Sequence, residues 1–366
     1  MTLLVRYLAR QNLFLIFTIL LVGTGLYVLT DMFERLDTFI ESGTGTLKVF
    51  IFFLLKIPTI ISLILPAVYL IALVVQLNML ERSRELIALT AGGVSPSALM
   101  RFIFVYGLLW AALQLAFAQF IGVAGEAGAT RIWQEDVRGN MLDEASIKGL
   151  WFTEKNQIIH IGEAFPVQEK GTDLLVYTLD DTGIAITEIL KAKTYTIDDD
   201  GNWLLRDGGR LVPSEYTATP FQTYSLSLKQ DLRVFQVGAK SSGIRPSHLS
   251  LGQLAETIDR LEEAGSNVER LQTAWHAKLA YAFSIFIMGL LAFIVSRLTA
   301  NIYAAVILSL LIVFFYYTLN TMCTALGEKG ILTPLVGAWF ANLFFLLTGL
   351  IWVFHPNVVR LLRKLR

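Results

Sequence analysis

The stretch Ile57-Pro58-Thr59-Ile60-Ile61-Ser62-Leu63-Ile64-Leu65-Pro66-Ala67-Val68-Tyr69-Leu70-Ile71-Ala72-Leu73-Val74-Val75-Gln76-Leu77-Asn78-Met79-Leu80 contains no Asp, Glu, Lys, Arg or His. About 20 apolar residues at helical rise cross the hydrocarbon of a bilayer, so this stretch has the length of a transmembrane helix. It is apolar on every face, whereas a core helix of a water-soluble domain keeps a polar side. Five further stretches share the property: residues 11–30, 102–125, 279–296, 298–327 and 330–354. The composition agrees, with 16% charged residues and a mean hydropathy of +0.57. Three uncharged stretches precede a polar block and three follow it. The expected fold is an α-helical integral membrane protein with six transmembrane helices in a 3+3 arrangement and an extramembranous insert.

Cationic residues in short loops mark the cytoplasmic side. Arg6 and Arg10 precede the first span, Arg82, Arg84 and Arg101 lie between the second and third, and Arg360, Arg363, Lys364 and Arg366 close the chain. The opposite loop, residues 31–46, carries Asp31, Glu34, Asp37 and Glu41 against Arg35. This pattern puts both termini in the cytoplasm and the insert outside. The first apolar stretch is read as a retained span, because its length exceeds the core of a signal peptide and no small-x-small cleavage site follows it.

The insert reads as β structure. Alternating runs at residues 158–161, 174–179, 192–197, 203–205, 223–228 and 232–237 are separated by turn sequences such as Asp180-Asp181-Thr182-Gly183 and Asp198-Asp199-Asp200-Gly201-Asn202. Short strands with close turns predict a sandwich or jelly-roll-like domain. The acidic turn lacks the distal Glu of a calcium loop and reads as a hairpin turn. Beyond it, Ser250 and Gln253 have capping-box spacing, Leu251, Leu254, Ile258 and Leu261 share a face, and Gly265 is placed to end the helix. This helix is expected to pack the insert onto the membrane part and lead into the fourth span. The domain reading is therefore residues 1–130 for spans one to three, 131–247 for the β domain, and 248–366 for the connecting helix and spans four to six.

Catalytic patterns are missing. Cys323 is the single cysteine, and His160, His248, His276 and His355 are scattered without metal-ligand spacing. Lys240-Ser241 follows no Gly-rich phosphate loop, and Gly93-Val94-Ser95-Pro96-Ser97 lacks the second Gly of a nucleophile elbow. No cofactor, metal or nucleic acid is expected. Energy must then enter from a partner. The sizeable cytoplasmic loop, residues 81–101, has a helical segment from Glu81 to Leu89, broken at Gly92-Gly93 and ended by Pro96. Its mixed charged and apolar edges suit docking into a partner's groove, with Glu85 placed to accept a bidentate Arg. The alternative for Glu85 is a local pair with Arg82.

The stretch Glu81-Arg82-Ser83-Arg84-Glu85-Leu86-Ile87-Ala88-Leu89-Thr90-Ala91-Gly92-Gly93-Val94-Ser95 resembles the cytoplasmic helix of the lipopolysaccharide export permease family, of LptF/LptG type. Gly149-Leu150-Trp151, and Gly330-Ile331-Leu332-Thr333-Pro334 with Trp339 and Asn342, resemble the LptG side more. The resemblance covers the whole chain as architecture. It implies a permease subunit of an ABC transporter in a Gram-negative inner membrane, with a periplasmic β-jelly-roll. The implied partners are a paralogous LptF-type half, two LptB-type cytoplasmic ATPases, an LptC-type membrane protein and an LptA-type periplasmic bridge. The implied substrate is lipopolysaccharide. Glu85, with Arg82, Arg84 and Leu86, takes the ATPase-coupling role.

Lipid A phosphates need cations at headgroup depth. The candidates are Arg35, Lys56, Arg131 and Arg138. Lys56, at the edge of an apolar run, is either a site residue or a side chain snorkelling to the surface. Arg131 and Arg138, seven apart, would share one face of a helix. The sequence departs from the family in its acidic loop after span one, where LptG proteins tend to carry several Lys; either the partner half supplies the cations, which is the preferred reading, or the lipid headgroup carries less negative charge. Gly23, Gly25, Gly289, Ala292 and Ser296 permit close helix approach, and Pro58 and Pro66 are placed to bend span two. Two other classes compete. An ion-coupled carrier would want carboxylates inside the spans, whereas every Asp and Glu lies outside the six uncharged stretches. A non-transporting assembly factor would use the β domain for docking.

Overall fold

The computed structural model of the chain describes residues 2–93, 96–139, 146–180, 182–198, 201–228, 231–238, 245–299 and 301–354. The closing cations Arg360, Arg363, Lys364 and Arg366 lie outside the described residues, as do His355, Lys240-Ser241, Val94-Ser95 and Asp199-Asp200 of the acidic turn. In chain order the helices are α1 (Thr2–Glu41), α2 (Thr46–Arg82), α3 (Glu85–Ala91), α4 (Pro96–Phe117) and α5 (Val123–Ile132). The strands β1 (Ile147–Glu154), β2 (Gln157–Phe165), β3 (Lys170–Leu179), β4 (Ile186–Ile197), β5 (Asn202–Val212) and β6 (Thr217–Ser227) follow. The chain then forms α6 (Arg233–Gly238), α7 (Leu251–Glu263), α8 (Glu269–Leu298), α9 (Ile302–Glu328) and α10 (Pro334–Phe354). It divides into two compact units, residues 1–129 with 273–366, and residues 130–272.

Six helical segments among the described residues are long and apolar enough to cross a membrane: Leu3–Glu41, Thr46–Arg82, Leu99–Val137, Glu269–Leu298, Ile302–Glu328 and Pro334–Val353. The acidic segment expected as a loop after span one is instead the last part of α1, which runs on to Glu41. Polarity ends an apolar stretch without ending a helix, whose backbone bonds are satisfied internally. At a rise of 1.5 Å per residue, the 37 residues of α2 extend about 55 Å, well past the hydrocarbon. Span three passes through a π turn at Ala118–Gly122 into α5, and through a second at Trp133–Val137.

Tyr69 of α2 sits fully buried in the core of the helical unit and donates to the carbonyl of Ile103 at 3.3 Å. Gly107 and Gly289 make room for its ring, since a Cβ at Gly289 would lie 3.3 Å from both Tyr69 and Ile103. Gly289 and the buried Ala292 are thus packing positions, while a Cβ at Gly25 would meet open space. Side chains of α1, α9 and α10 such as Phe14, Phe17, Ile307, Phe314 and Leu347 stay exposed, as they do when lipid or another subunit covers them.

In the second unit the strands pair antiparallel in the order β1-β2-β3-β4-β5-β6, so the β insert is a meander of consecutive hairpins. Two cross-strand rows of buried side chains hold it: Phe152, Ile159, Val176 and Leu190, and beside them Leu150, Ile161, Leu174 and Ala192. Period-two alternation sends these residues to one face. Tyr195 and Trp203 extend the core, their rings stacked at 4.8 Å. At the β3–β4 turn Asp180 accepts from the Thr182 hydroxyl and from the Ala185 and Ile184 N–H groups, which together hold its carboxyl below the usual range. The run at 232–237, expected as a strand, forms the short helix α6 with Leu232 and Phe235 buried. Their spacing of three fits a helix turn better than a strand. The cap of α7 is as expected, Ser250 and Gln253 bonding reciprocally, and Gly265 at φ +65 follows its end. There Thr153 of β1 donates its N–H to Ala264 O at 2.9 Å, tying α7 to the sheet.

Candidate functional site

The junction between spans two and three is built from a break in the backbone. α2 ends at Arg82, Ser83 caps it, and Arg84 takes the left-handed conformation at φ 59 before α3 starts at Glu85. A non-glycine residue in that region is held there at a cost, which a tight helix junction imposes. The short helix therefore begins four residues later than the sequence suggested, and Glu81 and Arg82 belong to α2. Gly92 caps α3 and Gly93 follows at φ +85, while Pro96 opens α4.

α3 has two sides. Leu86, Ile87 and Leu89 line a cavity of about 260 Å³ together with Leu4, Leu77, Leu99 and Phe293. Ile87 is 65% exposed, and Ala88, Arg82 and Arg84 are exposed as well. Leu86 and Leu89 are half-buried, whereas Ile87, lining the same cavity, leaves most of its surface exposed. Glu85 accepts a hydrogen bond from Tyr7 of α1 at 3.0 Å rather than forming the local pair with Arg82. Its carboxylate keeps acceptor sites for a further donor. The base of α1 is fixed beside it: Asn12 Nδ2 donates to Gln76 Oε1 at 2.9 Å, and Gln76 Nε2 donates to Leu8 O at 2.8 Å.

The cation candidates fall into two sets. Arg35 Nε and Lys56 Nζ both reach Asp31, at 2.9 Å and 2.6 Å, and both lie over the Phe52 ring, with Arg35 Cζ at 5.9 Å and Lys56 Nζ at 5.3 Å from its centroid. Lys56 therefore does not snorkel to a free surface. It is paired with Asp31, as is Arg35. Glu126 of α5 interacts electrostatically with Tyr27 of α1 and with Lys278 of α8, a second charged group that sequence reading did not single out. Arg131 and Arg138 belong to the other unit. Arg131 pairs with Glu135 at 3.1 Å, and Arg138 lies over Trp133 at 5.9 Å. The π turn Trp133–Val137 stands between them and adds a residue to the helical turn. One extra residue rotates the helix by about 100°, so the shared face predicted for an uninterrupted α-helix is lost.

Sequence reading also passed over the amides and phenols inside the spans. Asn342 accepts from Tyr316 at 2.8 Å and donates to Ala280 O at 2.6 Å, and Gln114 donates to Ser62 O at 3.0 Å. Isolated Asn and Gln in otherwise apolar runs were the available signal, because a polar group in hydrocarbon must find a partner. Among the described residues no three His, Cys, Asp or Glu side chains gather as a metal site would require.

Six membrane-length helices, a β insert between the third and fourth, and a short helix at the α2–α4 junction define a multi-pass membrane protein with an inserted β unit. The chain belongs to the LptF/LptG family: the family described as Lipopolysaccharide export system permease LptF/LptG matches residues 6–355. It is similar to the lipopolysaccharide export system permease protein LptG of Haemophilus influenzae, at 26% identity, covering 95% of this chain and 96% of that protein.

Proposed function

We propose that the chain is the LptG-type half of an ATP-driven exporter that extracts lipopolysaccharide from the inner membrane of a Gram-negative cell. It pairs with an LptF-type half, and two LptB-type ATPases supply the energy. An LptC-type membrane protein and an LptA-type bridge receive the lipid on the periplasmic side, where the β unit stands. Both termini and α3 are cytoplasmic, as the Lys and Arg distribution favours. The observation that carries the coupling assignment is the two-sided α3. Leu86 and Leu89 are half-buried, while Ala88 and most of Ile87, which also lines the cavity, are exposed beside Glu85 and leave surface for a partner. An amphipathic helix laid into a groove transmits displacement when both of its faces are engaged. The Asp31-paired Arg35 and Lys56, with Arg131 and Arg138, are the proposed phosphate contacts. Asp31 already engages both Arg35 and Lys56, which favours a share of the phosphate binding on the partner half.

Glu85→Lys replaces the acceptor with a like charge toward an Arg-bearing groove. The expected result is loss of ATPase copurification, with the purified chain melting close to wild type. Undiminished copurification and ATPase stimulation would remove the coupling role from this residue. Lipopolysaccharide release from proteoliposomes holding both halves and the ATPase separates a transporter from an assembly factor, in which release would not depend on this subunit's α3.

A further inference from the structure

α2 carries Pro66 in its interior, and the backbone bonds around it are completed from other helices. Proline has no N–H, so the carbonyl four residues earlier, Ser62 O, loses its helical donor and is crowded by the ring. In a membrane helix that carbonyl must be satisfied by other means. Gln114 Nε2 of α4 donates to it at 3.0 Å. One residue further on, Leu63 O accepts from Tyr317 Oη of α9 at 2.8 Å and also from Tyr281 Oη of α8, the two phenol oxygens lying 3.1 Å apart. Both phenols thereby meet the α2 backbone at a ladder carbonyl beside the proline, and a side chain engaging the ladder is one of the recognised causes of a bendable point in a helix.

A second observation concerns what the arrangement leaves unmade. Ser62 Oγ and Gln114 Oε1 are both buried without a hydrogen-bond partner among the described residues. One is a hydroxyl donor and the other an amide acceptor, and their residues already touch through the Gln114 to Ser62 O bond. Buried polar atoms without partners are uncommon and call for an explanation.

We infer that α2 has a second arrangement against α4, reached by pivoting at Ser62–Pro66, in which Ser62 Oγ donates to Gln114 Oε1. Gln114, Tyr281 and Tyr317 are then positioning residues for the transport stroke. They keep the proline-released carbonyls satisfied while the helix bends. Within α2 the pivot lies between Lys56, paired to Asp31, and the Arg84 break that leads to α3. A pivot between these ends converts displacement of α3 into displacement of the Lys56 end. The inference rests on the reading of α3 as the point where force enters.

The test uses the full complex of both halves and ATPase in proteoliposomes, with lipopolysaccharide as the probe. Pro66→Ala restores an N–H for Ser62 O and stiffens the helix. The expected result is an unchanged or higher melting temperature with several-fold less lipopolysaccharide released per ATP, a split that a merely structural proline would not produce. Gln114→Leu is expected to lower the melting temperature in the wild-type background and much less in the Pro66→Ala background, where the restored backbone N–H takes over Ser62 O. That non-additivity is the signature of a shared bond. Tyr281→Phe with Tyr317→Phe keeps both rings, and is expected to retain ATPase copurification while lowering release per ATP.

Wild-type release per ATP by Pro66→Ala, or additive melting shifts for Gln114→Leu, overturns the pivot. Should Pro66→Ala fail to assemble, the tyrosine pair decides, and wild-type release per ATP from it overturns the inference. Failure of Glu85→Lys to lose the ATPase would strike the coupling reading alone, since the melting cycle does not depend on α3.

Discussion

Asp31 organises the charge at the end of the first span. Its carboxylate, 9% exposed, is shared between Lys56, 15% exposed, and Arg35. Removing one member of a buried ion pair leaves the other uncompensated, at a cost of about 3–5 kcal/mol. Asp31→Asn is therefore expected to lower the melting temperature markedly, and Asp31→Asn with Lys56→Met to recover most of the loss. Melting followed on both variants in detergent checks this, and equal melting of wild type and Asp31→Asn would show that the cations are solvated. The sequence displayed Lys56 as a charge at the edge of an apolar run and Asp31 as one of several acids. Their pairing was not legible, because 25 residues separate them and nothing local couples them. The same holds for Tyr7 and Glu85, and for Asn12 and Gln76, whose residue types announced a need for partners without saying which.

At the scale of elements, spans and hairpins followed from periodicity, and the errors have local causes. β1 escaped because Gly149, at φ +65, interrupts the alternation, so that Ile147 and Leu150 are both buried at a spacing of three. α6 was misread because Leu232, Val234 and Val237 are strand-favouring residues in a short run, which masked the spacing of three between Leu232 and Phe235. The start of α3 was displaced because Glu81 to Leu89 has helical composition throughout, and the left-handed Arg84 that divides it leaves no mark in residue type. The β unit is held by rows of side chains that close on the Tyr195 and Trp203 stack. Trp203 is 1% exposed, and Trp203→Ala is expected to destabilise this unit by about 3–5 kcal/mol. Limited proteolysis should then cut within residues 146–228 while the helical unit stays intact. Protection equal to wild type would mean that the ring is not a core residue.

For the whole molecule, the charge asymmetry of the short loops makes a prediction about sides. With Cys323 replaced by Ser, a chain carrying Thr182→Cys is expected to react with a membrane-impermeant maleimide in intact spheroplasts. A chain carrying Ala88→Cys is expected to react only after the membrane is opened. The reverse pattern would put α3 outside and remove any role in taking force from a cytoplasmic ATPase. What the sequence by itself determined was the partition of the chain, six membrane-length helices around a β insert. Solvation by hydrocarbon or water depends on composition along a stretch, and composition is a one-dimensional property. The tertiary structure alone decided which polar groups meet: Asp31 with Lys56, Tyr7 with Glu85, and Gln114, Tyr281 and Tyr317 on the carbonyls around Pro66. A buried donor takes whichever acceptor packing brings within about 3 Å, and only the assembled bundle places donor and acceptor there.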